Sequence, residues 1–192
     1  MAMLYLTRHG QTELNWAGRM QGRIDSNLTE RGKEQAERVG EKLYAQLGKQ
    51  RVTLWVSPLG RAQQTAAIIA RHIQVTEQKT DARLAEVSLG DWEGMTMEDI
   101  EFTHPGALDG SSRFDWAYRA PGGETEAALL DRLQDWLTGF ERRNTPAVVV
   151  SHGWAGMALR ALYSSRSFED VSAKGDSHEA VFEFSDDGIR EF

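Results

Sequence analysis

Apolar positions follow two rhythms along this chain. Met3 to Leu6 is a short, unbroken apolar run, and Ala36, Val39, Leu43, Tyr44 and Leu47 then recur at helical spacing. Thr29 stands where it can cap the start of that helix, and Gly48 where it can end it. Val52 to Val56 predicts a second strand, which runs into SPLGRAQQTAAIIARH. There Pro58 ends the extended segment and Ala62, Thr65, Ala66 and Ile69 share a helical face. Beyond Glu124, the residues Leu129, Leu130, Leu133, Trp136, Leu137 and Phe140 predict a long amphipathic helix. PAVVVSHGWAGMALRALY follows, an apolar strand that breaks into a helix at Gly153. EAVFEF and GIREF flank SDDG as a terminal hairpin.

Apolar strands of this kind, alternating with helices, are buried on both faces. The expected fold is therefore α/β: a three-layer α/β/α sandwich around a mostly parallel sheet with an antiparallel edge strand. Thr76 to Gly123 breaks the rhythm. It is rich in Asp, Glu, Gly and aromatics, with one helix-like piece near Met95 to Phe102. A stretch of that length without a core element reads as a lid or substrate-specificity excursion, over about residues 76–123 of a single domain spanning 1–192.

Composition narrows the function. The 192 residues suit one domain, and the net charge of −7 argues against general affinity for nucleic acid or an anionic membrane. An anionic ligand must then be drawn by a local cluster of cations. The chain has no cysteine, so disulfides, thiolate metal sites and thiol catalysis are excluded. The first ten residues lack the pattern of an export leader and no apolar run is long enough to span a bilayer, so a cytoplasmic location is expected. The histidines show no metal-ligand spacing; neither metal nor cofactor is expected.

The chemistry lies where strands end. In open α/β sheets the ligand crevice lies beyond the carboxyl ends of the strands. Three strands here end in polar residues: Arg8 and His9; Ser57, with Arg61 shortly after; and Ser151 and His152. Guanidinium forks match phosphate oxygens, and Gly10 and Gly153, beside the two histidines, let backbone N–H groups approach an anion. The constellation suits a phosphoryl group. His72, His104 and His178 read as ordinary surface or core residues.

Five ordered blocks carry a resemblance: LYLTRHGQTELNWAGRMQGRIDSNLTERGKEQA, SPLGRAQQTA, LAEVSLGDWEG, PGGETEAALLDRL and VVVSHGWAGMALRAL. Together they resemble the histidine phosphatase superfamily, in the branch related to cofactor-dependent phosphoglycerate mutase. The resemblance implies a phosphoglycerate mutase-like fold and a metal-independent phosphomonoester hydrolase working through a phosphohistidine. It implies that His9 is the nucleophile, that Arg8, Arg61 and His152 surround the transferring group, and that Glu86 protonates the leaving oxygen and then deprotonates water. That last role calls for a carboxyl group with a raised pKa. The resemblance also matches Asn15 to a further phosphate contact, and Gln21 and Gly153 are expected to help line the same pocket.

The expected partner is a small-molecule phosphomonoester, with the chain acting as a monomer or homodimer. Mutases of this family carry an ERHYG stretch at the catalytic acid and paired arginines nearby; this chain has AEVSLGDWEG, so a phosphatase is expected over a mutase. Trp92, Phe102, Phe114, Trp116 and Tyr118 suit either a wall for a sugar or aromatic leaving group, or packing of the excursion on the core. A phosphoprotein-binding module that has lost catalysis and a metal-dependent hydrolase are the readings from other classes. The first is disfavoured by the presence of every catalytic candidate, the second by the lack of a ligand set.

Overall fold

The computed structural model describes residues 3–141, 146–172 and 177–192. Among these described residues thirteen elements follow in order: β1 (Leu4–Arg8), α1 (Glu13–Trp16), α2 (Glu30–Leu47), β2 (Arg51–Val56), α3 (Gly60–Ile69), β3 (Gln74–Thr80), α4 (Met97–Thr103), α5 (Glu126–Glu141), β4 (Ala147–Ser151), α6 (Gly153–Ser164), α7 (Phe168–Ser172), β5 (Val181–Ser185) and β6 (Gly188–Glu191). Short 3₁₀ turns lie at Ala82–Leu84, Gly90–Trp92 and Trp116–Arg119.

The strands form one sheet in the order β3-β2-β4-β1-β5-β6. The first four run parallel; β5 is antiparallel to β1, and β6 to β5. The mixed three-layer architecture is the one the hydrophobic pattern predicts. Side chains alternate across the sheet as a period of two requires. Tyr5, Leu54, Val148 and Val150 meet α2 and α3 on one face. Leu4, Leu6, Trp55 and Val149 meet α5 and α6 on the other. Each buried leucine or valine of these layers contributes about 1.5–3 kcal/mol. Thr29 caps α2 by accepting from Gly32 N, and Gly48 closes it in a backbone conformation with φ 54°.

Two elements depart from the sequence expectation. β3 begins ahead of the segment read as an excursion and runs into it. Its residues, QVTEQKT, are largely exposed because it is an edge strand, and so it lacks the apolar run by which a buried strand is recognised. Farther on, Leu84, Val87, Leu89, Trp92, Ile100 and Ala117 are buried in the core against α5 and α6. Much of the stretch after β3 is thus fixed to the core. Among the described residues no helix is long and apolar enough to cross a membrane.

Candidate active site

Register brings the strand ends together. Arg8 pairs with Ser151 across β1 and β4, and Val56 with Val150 across β2 and β4. His9, His152 and Ser57 each follow at the same edge of the sheet. The His9 and Ser57 amides extend the ladders onto Ser151 O and Val150 O, both at 3.1 Å. Gly10 is demanded by packing: a Cβ there would overlap the backbone carbonyl of Gly32, at the start of α2. The loop after β1 thus lies flush on the α2 N-terminus, and Gly10 N donates to Thr65 Oγ1 of α3 at 3.1 Å.

His9 is buried, and its Nδ1 lies 2.8 Å from Gly10 O. A carbonyl can only accept, so Nδ1 carries the proton and Nε2 the lone pair. Arg61 Nε donates to that Nε2 at 3.2 Å. Burial above all, then the charges of His152, Arg8 and Arg61, hold the His9 pKa well below that of an ordinary histidine, so the ring is neutral near pH 7. The same holds for His152, pushed down by burial and by Arg61, Arg8 and Arg132. His152 is therefore neutral in the free protein, and an anion bound beside it would favour the charged ring. Its Nε2 pairs with Ser57 Oγ at 2.6 Å, and its buried Nδ1 has no protein partner. The His9 and His152 ring centroids are 5.2 Å apart.

Arg61 is one of the most completely buried side chains and is held from several sides. It donates to Gly22 O and Ile24 O, each at 2.8 Å, and to Asp25 Oδ1 at 3.1 Å. Asp25 also accepts from the Gly60 and Arg61 amides, so a carboxylate from a distant loop caps α3 and braces its arginine together.

Glu86 is carried by the segment after β3, which Ser151 Oγ pins over the end of β4 by donating to Leu84 O at 2.9 Å. Its Oε1 accepts from Val87 N and Ala155 N, both at 3.0 Å, and its Oε2 from Trp154 N at 3.2 Å. The carboxylate thus sits on the N-terminus of α6, one residue beyond Gly153. Arg132 and Arg23 both donate to the Glu86 carbonyl, and Glu124 binds both arginines.

Of the remaining predicted residues, Asn15 uses its side-chain oxygen in the capping box of α1, accepting from Thr12 N at 3.2 Å. Gln21 uses its own to accept from Ser26 Oγ, also at 3.2 Å. In each, the oxygen is thereby taken up as an acceptor and the NH₂ end is the donor. Trp92 is completely buried, so it packs the core and cannot wall a ligand, while Phe102 is largely exposed.

Sequence reasoning passed over His178. Its Nδ1 donates to His9 O at 2.6 Å and its ring centroid lies 5.6 Å from that of His9. It also passed over Asp25. No local pattern marks either, because both act across long stretches of chain. His72, read as ordinary, pairs with Glu37 at 2.6 Å, and His104 lies edge-on to Trp92.

Comparison with known proteins bears on the family and the fold. A model of the histidine phosphatase superfamily (branch 1) matches residues 4–175. The glucosyl-3-phosphoglycerate phosphatase of Mycolicibacterium vanbaalenii is 36% identical over 169 residues, covering 82% of this chain and 72% of that protein. Phosphoserine phosphatase 1 of Hydrogenobacter thermophilus is 34% identical over 176 residues, covering 90% of this chain and 79% of that one. The structure of a mycobacterial glucosyl-3-phosphoglycerate phosphatase complexed with VO3 superposes with a TM-score of 0.75 at 31% identity, covering 100% of this chain and 97% of that one.

Proposed function

The chain belongs to the histidine phosphatase superfamily (branch 1) and is a phosphomonoester hydrolase; we propose that it works through a phosphohistidine on His9, with Glu86 as acid and base. The observation that carries this assignment is the Nδ1–H bond from His9 to Gly10 O, which leaves Nε2 as the nucleophile. In the first step the Nε2–P bond forms as the P–O bond breaks, and the leaving oxygen takes the proton of the Glu86 carboxyl. In the second, water attacks phosphorus, Glu86 takes its proton, the N–P bond breaks and phosphate leaves. Oε1 of Glu86 accepts two backbone bonds and Oε2 one longer one, so Oε2 is the oxygen with the freer lone pair for the proton.

Arg8, Arg61 and His152 offset charge on the equatorial oxygens, and the NH₂ groups of Asn15 and Gln21 complete the donors. Because Arg61 Nε rests on the attacking nitrogen, it must turn toward the phosphoryl oxygens as substrate enters. The test is hydrolysis of a panel of phosphomonoesters in excess chelator, with ³²P trapping. His9→Ala should abolish both turnover and labelling; equal rates for wild type and His9→Ala would overturn the mechanism.

A further inference from the structure

His9 leads into two peptide units whose polar groups are all engaged. In the first, His9 O accepts from His178 Nδ1 at 2.6 Å and Gly10 N donates to Thr65 Oγ1 at 3.1 Å. In the second, Gln11 N donates to Gln35 Oε1 and Gly10 O accepts from the His9 ring, both at 2.8 Å. A peptide unit is planar, so one bond at its carbonyl and another at its amide leave it little freedom to rotate. The Gly10 carbonyl, which sets the tautomer and tilt of the imidazole, thus takes its direction from three outside contacts: Thr65 on α3, Gln35 on α2, and His178.

His178 differs from the other two in coming from the turn ahead of β5. That turn is itself moored. Ala180 N donates to Ser177 O at 3.2 Å and closes it, and Thr7 Oγ1 of β1 donates to Ala180 O at 3.1 Å. From α2, Arg38 pairs with Glu179 at 2.7 Å and Lys42 Nζ donates to Glu179 O at 2.9 Å. The contact also fills a gap in the sheet. The His9 amide donates to Ser151 O of β4, while its carbonyl faces His178 on the β5 side. In a regular strand both groups of one residue face the same neighbour, so β1 leaves its ladder here and the carbonyl needs a donor from elsewhere. Among the described residues that donor is His178. Burial and the charge of Arg8 keep the His178 ring neutral near pH 7. It therefore adds no positive charge beside an imidazole that must itself gain charge as Nε2 bonds phosphorus.

We propose that His178 is a positioning residue for the nucleophile: by holding the His9 carbonyl it fixes the peptide unit from which Gly10 O aims the ring, and so keeps Nε2 in line with the phosphoryl group. It acts through the backbone and not on the reacting atoms. The assignment rests on His9 being the nucleophile, as proposed above.

The experiment follows single-turnover labelling of His9 by a ³²P-labelled aryl phosphate in wild type, His178→Ala, His178→Phe and His178→Asn, with ¹⁵N NMR of the imidazole nitrogens. Ala and Phe lack the donor. They should slow the maximal labelling rate constant about ten-fold while the half-saturating concentration and the inhibition constant of inorganic phosphate stay within about two-fold. Asn, whose amide nitrogen can stand where Nδ1 stood, should recover most of the rate. The His9 ring should hold its proton on Nδ1 in wild type and Asn and divide between tautomers in Ala and Phe. Should His178→Ala not fold, the Phe variant, which keeps the volume of the ring, carries the comparison. A smaller labelling amplitude at an unchanged rate constant signals less folded protein and overturns the proposal; so does a Phe variant at the wild-type rate, or an Asn variant as slow as Phe. If wild type takes no label on His9, the phosphohistidine reading fails, and NMR decides the positioning role alone. Mixed tautomers in Phe but not in Asn support it; an unchanged Nδ1–H in both overturns it.

Discussion

His178 should make the protein sensitive to mild acid. Burial is the largest influence on its ring, followed by the charge of Arg8 on β1; Arg31 on α2 acts in the same direction. The bond to His9 O and the neighbouring Glu179 oppose them, and the balance brings the pKa down to about 4. A histidine in the unfolded chain titrates near 6.5. Between those values the unfolded chain binds a proton that the folded one refuses, so stability is complete above about pH 6.5 and is lost as pH falls toward 4. Linkage puts the cost from this one residue at about 0.2 kcal/mol at pH 7 and up to about 2 kcal/mol at pH 5. His9 and His152, also held neutral, add in the same direction. His178→Asn keeps an N–H for the His9 carbonyl but does not titrate. Urea unfolding at the two pH values should therefore show the variant losing about 2 kcal/mol less than wild type between pH 7 and 5. Losses equal to within about 0.5 kcal/mol would refute the reasoning.

Three further outcomes follow from the site. Glu86→Gln cannot supply a proton, so turnover of an alkyl phosphate should fall about 10²–10⁴-fold while an aryl phosphate, whose leaving group needs no proton, suffers far less; steady-state kinetics on the two substrates checks this. Gly10→Ala sets a Cβ into the Gly32 carbonyl, backbone against backbone, and should cost about 3 kcal/mol, seen as a Tm about 6–12 °C lower. Asp25→Ala removes both the cap of α3 and the brace on Arg61. It should cost about 1–2 kcal/mol in urea unfolding and lower kcat/KM about ten-fold, with kcat/KM of the Asn variant between the two.

Local rhythm determined a large share of this protein. The apolar runs of β1, β2 and β4, the helical spacing of α2, α3, α5 and α6, and the polar residues ending three strands are short-range signals. A parallel sheet converts them into a site simply by aligning its strand ends, so Arg8, His9, Arg61 and His152 are legible in the chain itself. Glu86 is not legible from spacing; only the family resemblance marks it. Its setting comes from Ser151 drawing Leu84 over β4 and from the amides at the start of α6. β3 escapes notice because an edge strand exposes both its faces and needs no apolar pattern. Trp92 and Trp116 read alike in sequence, yet one is sealed in the core while the other lines a cavity, a difference set by what packs behind each ring. His178 reaches His9 from 169 residues away. A contact of that separation leaves no periodic trace in the chain, and only the folded sheet, bringing β5 beside β1, decides that it exists.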